Sequence, residues 1–197
     1  CLQSIDRLQS QDSEITKLRC ALERVPFQPA TTFYEAIVCA NFIYYLDGCD
    51  SMGRIDQDLG PYYERDLVGQ HGRAPLMTED EGVGLVRCLW ENINANSGWN
   101  VAIGGTTPEG TPAYNALTDA CLKAARGIRR PNLALRVRKD TPDRVLDLAL
   151  EAIASGCGIP ALYNEEAYLE ALASSDLGLT KDDLPDFAFG GCTETML

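Results

Sequence analysis

Residues 99–127 read WNVAIGGTTPEGTPAYNALTDACLKAARG, and residues 132–138 read NLALRVR. A short apolar run enters paired glycines, a polar turn follows, and an apolar-periodic stretch closes at Gly127 before a second apolar run. That order is strand, turn, helix, strand. It continues downstream. Thr141-Pro142-Asp143 opens a helix through Ser155 that Gly156 stops, and IPALYN (159–164) is a short strand. Asn164 with Glu165 and Glu166 caps a helix to about Ser174, Thr180 to Leu184 form one more helical turn, and FAFGG (187–191) is a last strand. Strands alternating with helices predict an α/β fold with a parallel sheet and crossover helices. In such sheets catalytic groups favour the loops after strand C-termini, and Cys192 follows the last strand.

The chain before residue 96 reads as mainly helical packing around this half, and residues 96–197 as the alternating half. Leu2, Ile5, Leu8, Ile15, Leu18 and Leu22 among charges predict one amphipathic helix over 2–24, ended near Pro26. Thr31 and Thr32 with Glu35 form a capping-box start. The following FYEAIVCANFIYYL (33–46) is apolar nearly all round and predicts a buried helix. DGCDSMGRIDQDLGPYY (47–63) reads as a glycine-punctuated loop. Thr78, Asp80 and Glu81 start a helix that runs to about Asn94.

The composition narrows the function. The 197 residues are 45% hydrophobic, enough for a packed core, and carry a net charge of −12. A polyanion without a Lys/Arg cluster binds nucleic acid and anionic membranes poorly. The pair Arg129-Arg130 is isolated and reads as solvated or structural. No run of about 18 apolar residues exists, and the polar N-terminus lacks a signal-peptide core. The eight cysteines (1, 20, 39, 49, 88, 121, 157 and 192) are scattered with no CxxC, which argues against zinc ribbons and iron–sulfur sites. They read as reduced, mostly buried thiols of a cytoplasmic protein. A first residue that is Cys, and an end just beyond Cys192, read as an internal piece of a longer protein.

The candidate chemistry lies in DFAFGGCTETML (186–197). Gly190 and Gly191 let the backbone turn sharply and expose the sulfur of Cys192, and Glu194 follows two residues on. A carboxylate raises a nearby thiol's pKa, so it activates a thiolate poorly. A cysteine hydrolase would need a histidine base, and the only one is His71 in GQHGR. A thiol that carries a hydrogen atom, with a separate carboxylate handling a proton, suits the pair better. The competing structural readings are a small apolar residue at a strand end for Cys192 and a surface or helix-start carboxylate for Glu194. Elsewhere structure is the preferred reading. Arg54 of GRIDQ is expected to pair with Asp56 and pin a buried loop. Gly104-Gly105 lacks the Lys-Ser/Thr of a phosphate loop, Gly156-x-Gly158 is a tight turn, Trp99 and Asn100 are core, and His71 lies on a surface loop.

GCTE resembles the Gly-Cys-x-Glu active-site loop of glycyl radical enzymes, the pyruvate formate-lyase-like superfamily. VPFQPATTFYEAIVCANFIYYL, GRIDQDLGPYYERDL, IGGTTPEGTPAYNALTDACL, RRPNLALRVRKDTPD and GCGIPALYNEEAYLEAL resemble blocks of that family in the same order, over nearly the whole chain. The resemblance implies part of a ten-stranded α/β barrel made of two five-stranded halves. It implies that Cys192 is the thiyl residue and Glu194 the general base that takes a substrate hydroxyl proton. A glycine near the C-terminus of the complete protein, outside this chain, would store the radical after a radical S-adenosylmethionine activase installs it, with no cofactor bound in this chain. A homodimer acting on a small hydroxylated or amino-acid-like molecule by elimination is the implied whole. Acyl-transferring formate-lyases carry two adjacent cysteines, whereas Gly191 precedes Cys192 here. Thr193 and Thr195 stand where the eliminating branch has Val and Pro, and the Arg-Val-x-Gly-aromatic radical motif is absent from these residues. The alternatives are formate-lyase-like acyl transfer or radical decarboxylation, a catalytically dead relative that serves as a binding subunit, and a thiol hydrolase using Cys192 with His71.

Overall fold

A computed structural model describes residues 2–8, 12–48, 50–70, 72–96, 98–180, 182–191 and 194–196. Cys192 and His71 lie outside the described residues. The single helix expected over 2–24 is two, α1 (Leu2–Leu8) and α2 (Ser13–Arg24). Asp12 caps the second, its carboxylate accepting from the Glu14 N–H at 2.8 Å. Helix α3 (Phe33–Asp47) starts as expected. Thr32 Oγ1 accepts from the Glu35 N–H, and the Glu35 carboxylate accepts from the Thr31 N–H. It is not buried all round: Phe33, Ala36, Ile37 and Tyr44 face the core, while Ile43, Tyr45 and Leu46 are exposed.

The segment expected to be a loop holds β1 (Ser51–Arg54), α4 (Ile55–Asp58) and the start of α5 (Gly60–Val68). β1 has one apolar side chain, Met52, so no hydrophobic run announces it; pairing with its neighbour defines it. Helix α6 (Glu79–Ala95) begins at a capping box in which Thr78 and Glu81 bond reciprocally. Then come β2 (Asn100–Gly104), α7 (Ala116–Ala125), β3 (Asn132–Val137), α8 (Asp143–Ala152), β4 (Ala161–Asn164) and α9 (Glu165–Ala173). After α8 the chain widens at 153–157 and turns at Gly156 and Gly158, with φ of +83° and +77°. The turn expected near 180–184 is a single 3-10 turn at Leu184–Asp186. No helix among the described residues is long and apolar enough to cross a membrane.

β1 to β4 form one parallel four-stranded sheet in sequence order. Its two faces differ in side-chain size. Val101, Ile103, Leu133 and Leu135 pack into the helices with Trp90, Leu117 and Leu122. Ala102 and Ala134 point the other way, and their small size leaves room for a second layer with Phe187 and Phe189. That layer is a hairpin of β5 (Ala188–Gly190) and β6 (Glu194–Met196), antiparallel to each other and outside the parallel sheet. Parallel sheets are stable when covered on both faces, and here the hairpin covers the second face. This corrects the expectation that the last strand extends the parallel order.

Two buried arginines set that course. Arg136, at the end of β3, is 0% exposed and forms a two-point ion pair with Glu165, which is 1% exposed: Nε to Oε2 at 2.7 Å and Nη2 to Oε1 at 2.6 Å. Two further donors go to the carbonyls of Phe187 (2.6 Å) and Pro185 (2.8 Å). Arg54, at the end of β1, donates to the Asp186 carboxylate at 3.1 Å and to the carbonyls of Pro185, Gly104 and Thr106. The expected Arg54–Asp56 pairing is replaced by this longer-range one. Asp56 instead accepts from the Gly104 N–H at 2.8 Å and from Thr118 Oγ1 at 2.6 Å. Burial raises the Asp56 pKa, and those two hydrogen bonds and the Arg54 charge oppose the rise. Burial and the Arg136 charge lower that of Arg54. Gly105 makes the crowding possible, because a Cβ there would stand 2.5 Å from Arg136 Nε.

Arg136→Met would leave the Glu165 carboxylate buried and unpaired. The expected loss is about 3–5 kcal/mol of unfolding free energy. Arg136→Met combined with Glu165→Leu is expected to lose less than the sum of the single changes. Urea denaturation of the three variants measures both quantities.

Candidate active site

The hairpin is rooted at the C-terminal edge of the sheet and crosses its face toward the N-terminal edge. The aromatic side chains of the root and shaft stack: Tyr168 on Phe187 at 4.8 Å and Tyr163 on Phe189 at 4.1 Å between ring centroids. Phe187 and Phe189 meet edge to face at 5.4 Å. Such contacts add directional packing to area burial and stiffen the shaft. Tyr168 Oη and Thr195 Oγ1, 2.5 Å apart, tie the return strand to α9.

At the far end three groups from the starts of β1 and β2 hold the turn. Ser51 Oγ donates to the Phe189 carbonyl at 2.7 Å. The Gly191 N–H donates to Asp50 Oδ2 at 2.9 Å, and Asn100 Nδ2 donates to the Gly191 carbonyl at 3.5 Å. Gly191 has φ +48°, in the left-handed region that favours glycine. A Cβ on Gly191 would stand 2.2 Å from Glu194 Oε2, so the Glu194 carboxylate lies folded back over the residue that precedes Cys192 in the chain. The side chain of Glu194 is exposed. A carboxylate is thereby held close to the Gly191 backbone while exposed at the surface.

Two cavities flank this turn and share Trp99 as a wall. One, of about 270 Å³, is lined by Trp99, Arg129, Arg130, Asn132, Ile159 and Gly191. The other, of about 310 Å³, is lined by residues that include Tyr44, Asp50, Gly98 and Trp99. Trp99, expected in the core, is 44% exposed, whereas Asn100 is buried as expected and also reaches the turn. Asp50 and Ser51 were not among the sequence candidates. Only their pairing register with β2 brings them to the tip, and no local pattern marks it. Among the described residues, no group of three or more His, Cys, Asp or Glu side chains is placed to hold a metal ion.

Residues 6–197 match the model of a family described as pyruvate formate lyase-like. The isethionate sulfite-lyase of Nitratidesulfovibrio vulgaris is 35% identical over 199 residues, which cover 88% of this chain and 23% of that protein. The indoleacetate decarboxylase of Tractidigestivibacter scatoligenes is 30% identical over 209 residues, 94% of this chain and 24% of that protein. A solved structure concerned with 1,2-propanediol dehydration in Roseburia inulinivorans superposes with a TM-score of 0.84 at 27% identity, covering 99% of this chain and 27% of that one. The chain thus spans about a quarter of the length of the relatives it matches.

Asp50→Ala removes the acceptor of the Gly191 amide. A hydrogen bond to a charged acceptor contributes about 1.5 kcal/mol at the low end, so local opening is expected to speed exchange of that amide roughly tenfold. Amides of β2 and β3 are expected to keep their protection. Amide hydrogen exchange followed by NMR distinguishes this local loosening from a uniform loss of stability.

Proposed function

The chain belongs to the pyruvate formate lyase-like family, and from that premise we propose that it forms part of a glycyl radical lyase acting by elimination on a small hydroxylated substrate. One observation supports this reading most directly: a hairpin anchored at root and tip, with the Glu194 carboxylate folded over the glycine before Cys192. In this reading the parallel sheet and its hairpin are part of a ten-stranded barrel of two halves, in a cytoplasmic homodimer.

A radical stored on a glycine outside this chain, installed by a radical S-adenosylmethionine activase, would supply the unpaired electron that reaches the Cys192 sulfur. The Cys192 sulfur then takes a hydrogen atom from the substrate carbon that bears the hydroxyl. Glu194 accepts the hydroxyl proton, and electron density released toward that carbon expels the leaving group from the neighbouring carbon with its bonding pair. The Cys192 S–H returns its hydrogen atom to that neighbouring carbon. The product is a carbonyl compound plus the free leaving group, and the sulfur is left ready for the next cycle. The packed shaft would present the Glu194 carboxylate and the Cys192 sulfur together, so that they act on adjacent atoms of one small molecule. The exposed Glu194 side chain would be open to the substrate.

The second reading is radical decarboxylation, favoured by the 30% identity to an indoleacetate decarboxylase. A dead relative acting as a binding subunit is the third.

In the complete gene product, Cys192→Ala is expected to abolish turnover. Glu194→Gln is expected to lower turnover by ~10²–10⁴-fold. Both variants should still form the glycine radical, seen by electron paramagnetic resonance. Product analysis separates elimination from decarboxylation by the presence of carbon dioxide. Normal turnover by Cys192→Ala would defeat the proposal.

A further inference from the structure

Arg129 and Arg130 precede β3 and line the smaller cavity beside the hairpin turn. Arg130 is half-buried. Its guanidinium carbon lies 4.8 Å from the centre of the Trp99 ring, and Nη1 donates to the Gly98 carbonyl at 3.4 Å. The stacking holds the planar group in place and removes part of its water. The charge is not compensated in the usual way. In a chain with 29 acidic and 17 basic side chains, a fixed arginine readily finds a carboxylate. Arg54, Arg65, Arg136 and Arg138 each have one, at Asp186, Asp66, Glu165 and Asp140. Among the described residues, no carboxylate lies within ion-pair distance of Arg129 or Arg130.

A positioned guanidinium with donors to spare, facing a concave space, is complementary to a planar or tetrahedral acid group. The volume of about 270 Å³ restricts the occupant to a small molecule. Gly191, which also lines the cavity, is the residue bonded to Cys192. We propose that this cavity binds the acid group, a sulfonate or a carboxylate, of a short hydroxylated substrate, with Arg130 as the principal contact and Arg129 at the rim. The substrate class is therefore a small hydroxy acid anion and not a neutral diol. The identification of the ligand as substrate rests on the lyase reading above. The binding step needs no radical, so the two stand or fall separately.

Three probes share a hydroxyethyl group and differ only in the end that would meet Arg130: isethionate, 3-hydroxypropanoate and 1,3-propanediol. Calorimetric titration of the radical-free complete gene product is expected to show saturable binding of at least one of the two anions and weaker binding of the diol. Whichever anion binds tighter identifies the acid as sulfonate or carboxylate. Arg130→Gln should weaken the anions roughly tenfold or more, the loss expected for a hydrogen bond to a charged group, and leave the diol unchanged. Cys192→Ala, which is expected to abolish turnover, should keep the preference for the anions over the diol, which separates this test from that of the radical chemistry. Should Arg130→Gln not fold, Arg129→Gln and Arg130→Lys carry the test, and each must weaken the anions more than the diol. The proposal is overturned if neither anion binds, if the diol binds as well as the anions, or if the arginine variants affect all three probes equally.

Discussion

The ion pair of Arg136 with Glu165 is the constraint on which the arrangement turns. Two charges removed from water gain little net stability unless every remaining donor and acceptor is used. Here the spare donors of Arg136 close on two carbonyls of the segment entering the hairpin. The cost of burying the charge is thus offset by defining the path of a chain that would otherwise be a surface loop. The stack of Arg136 on the Phe187 ring, 3.8 Å from its centre, adds a third contact to the same segment. Sheet, α9 and hairpin meet at this one guanidinium.

The rest of the sheet face is built around that occupant. Alanines at 102 and 134 and glycine at 105 stand where larger side chains would displace either the hairpin or the arginine. On the helix side the same strands carry Val, Ile and Leu. The alternation along β2 and β3 is therefore one of size more than polarity, as suits a sheet covered on both faces.

Much of this was legible in the sequence. Apolar runs bounded by glycine and proline gave away β2, β3 and β4, and the Thr78 and Glu81 pattern marked the start of α6. Strand β1 was not legible, because Ser51–Arg54 is neither apolar nor alternating and exists through its partner. FAFGG was legible as extended chain but not as an antiparallel one. Its direction depends on Arg54 and Arg136, which are distant in sequence. Local reasoning paired Arg54 with Asp56, two residues away, whereas its carboxylate partner lies at 186. Helix α3 was read as buried from composition, yet composition does not say on how many sides neighbours stand. Glu194 was singled out from its spacing to a cysteine, and the fold adds only where its carboxylate lies, while Asp50 and Ser51, which hold the Gly191 N–H and the Phe189 carbonyl in place, carry no local mark. Arg129-Arg130 reads from sequence as an isolated pair, solvated or structural, because the ring of Trp99 and the wall at Gly191 come beside it only once the chain has folded.

The return strand of the hairpin has a different standing from its outgoing partner. Phe187, Ala188 and Phe189 are buried in the second core layer, whereas Glu194, Thr195 and Met196 are all exposed. Selection acts on the two strands under different penalties. Changes on the outgoing strand disturb a packed aromatic stack, whereas a change on the return strand at 195 gives up one hydroxyl contact with Tyr168 and leaves that stack in place. New side chains could therefore be tried beside Glu194 without rebuilding the packed layer, and that exposed edge can vary faster than the fold that carries it.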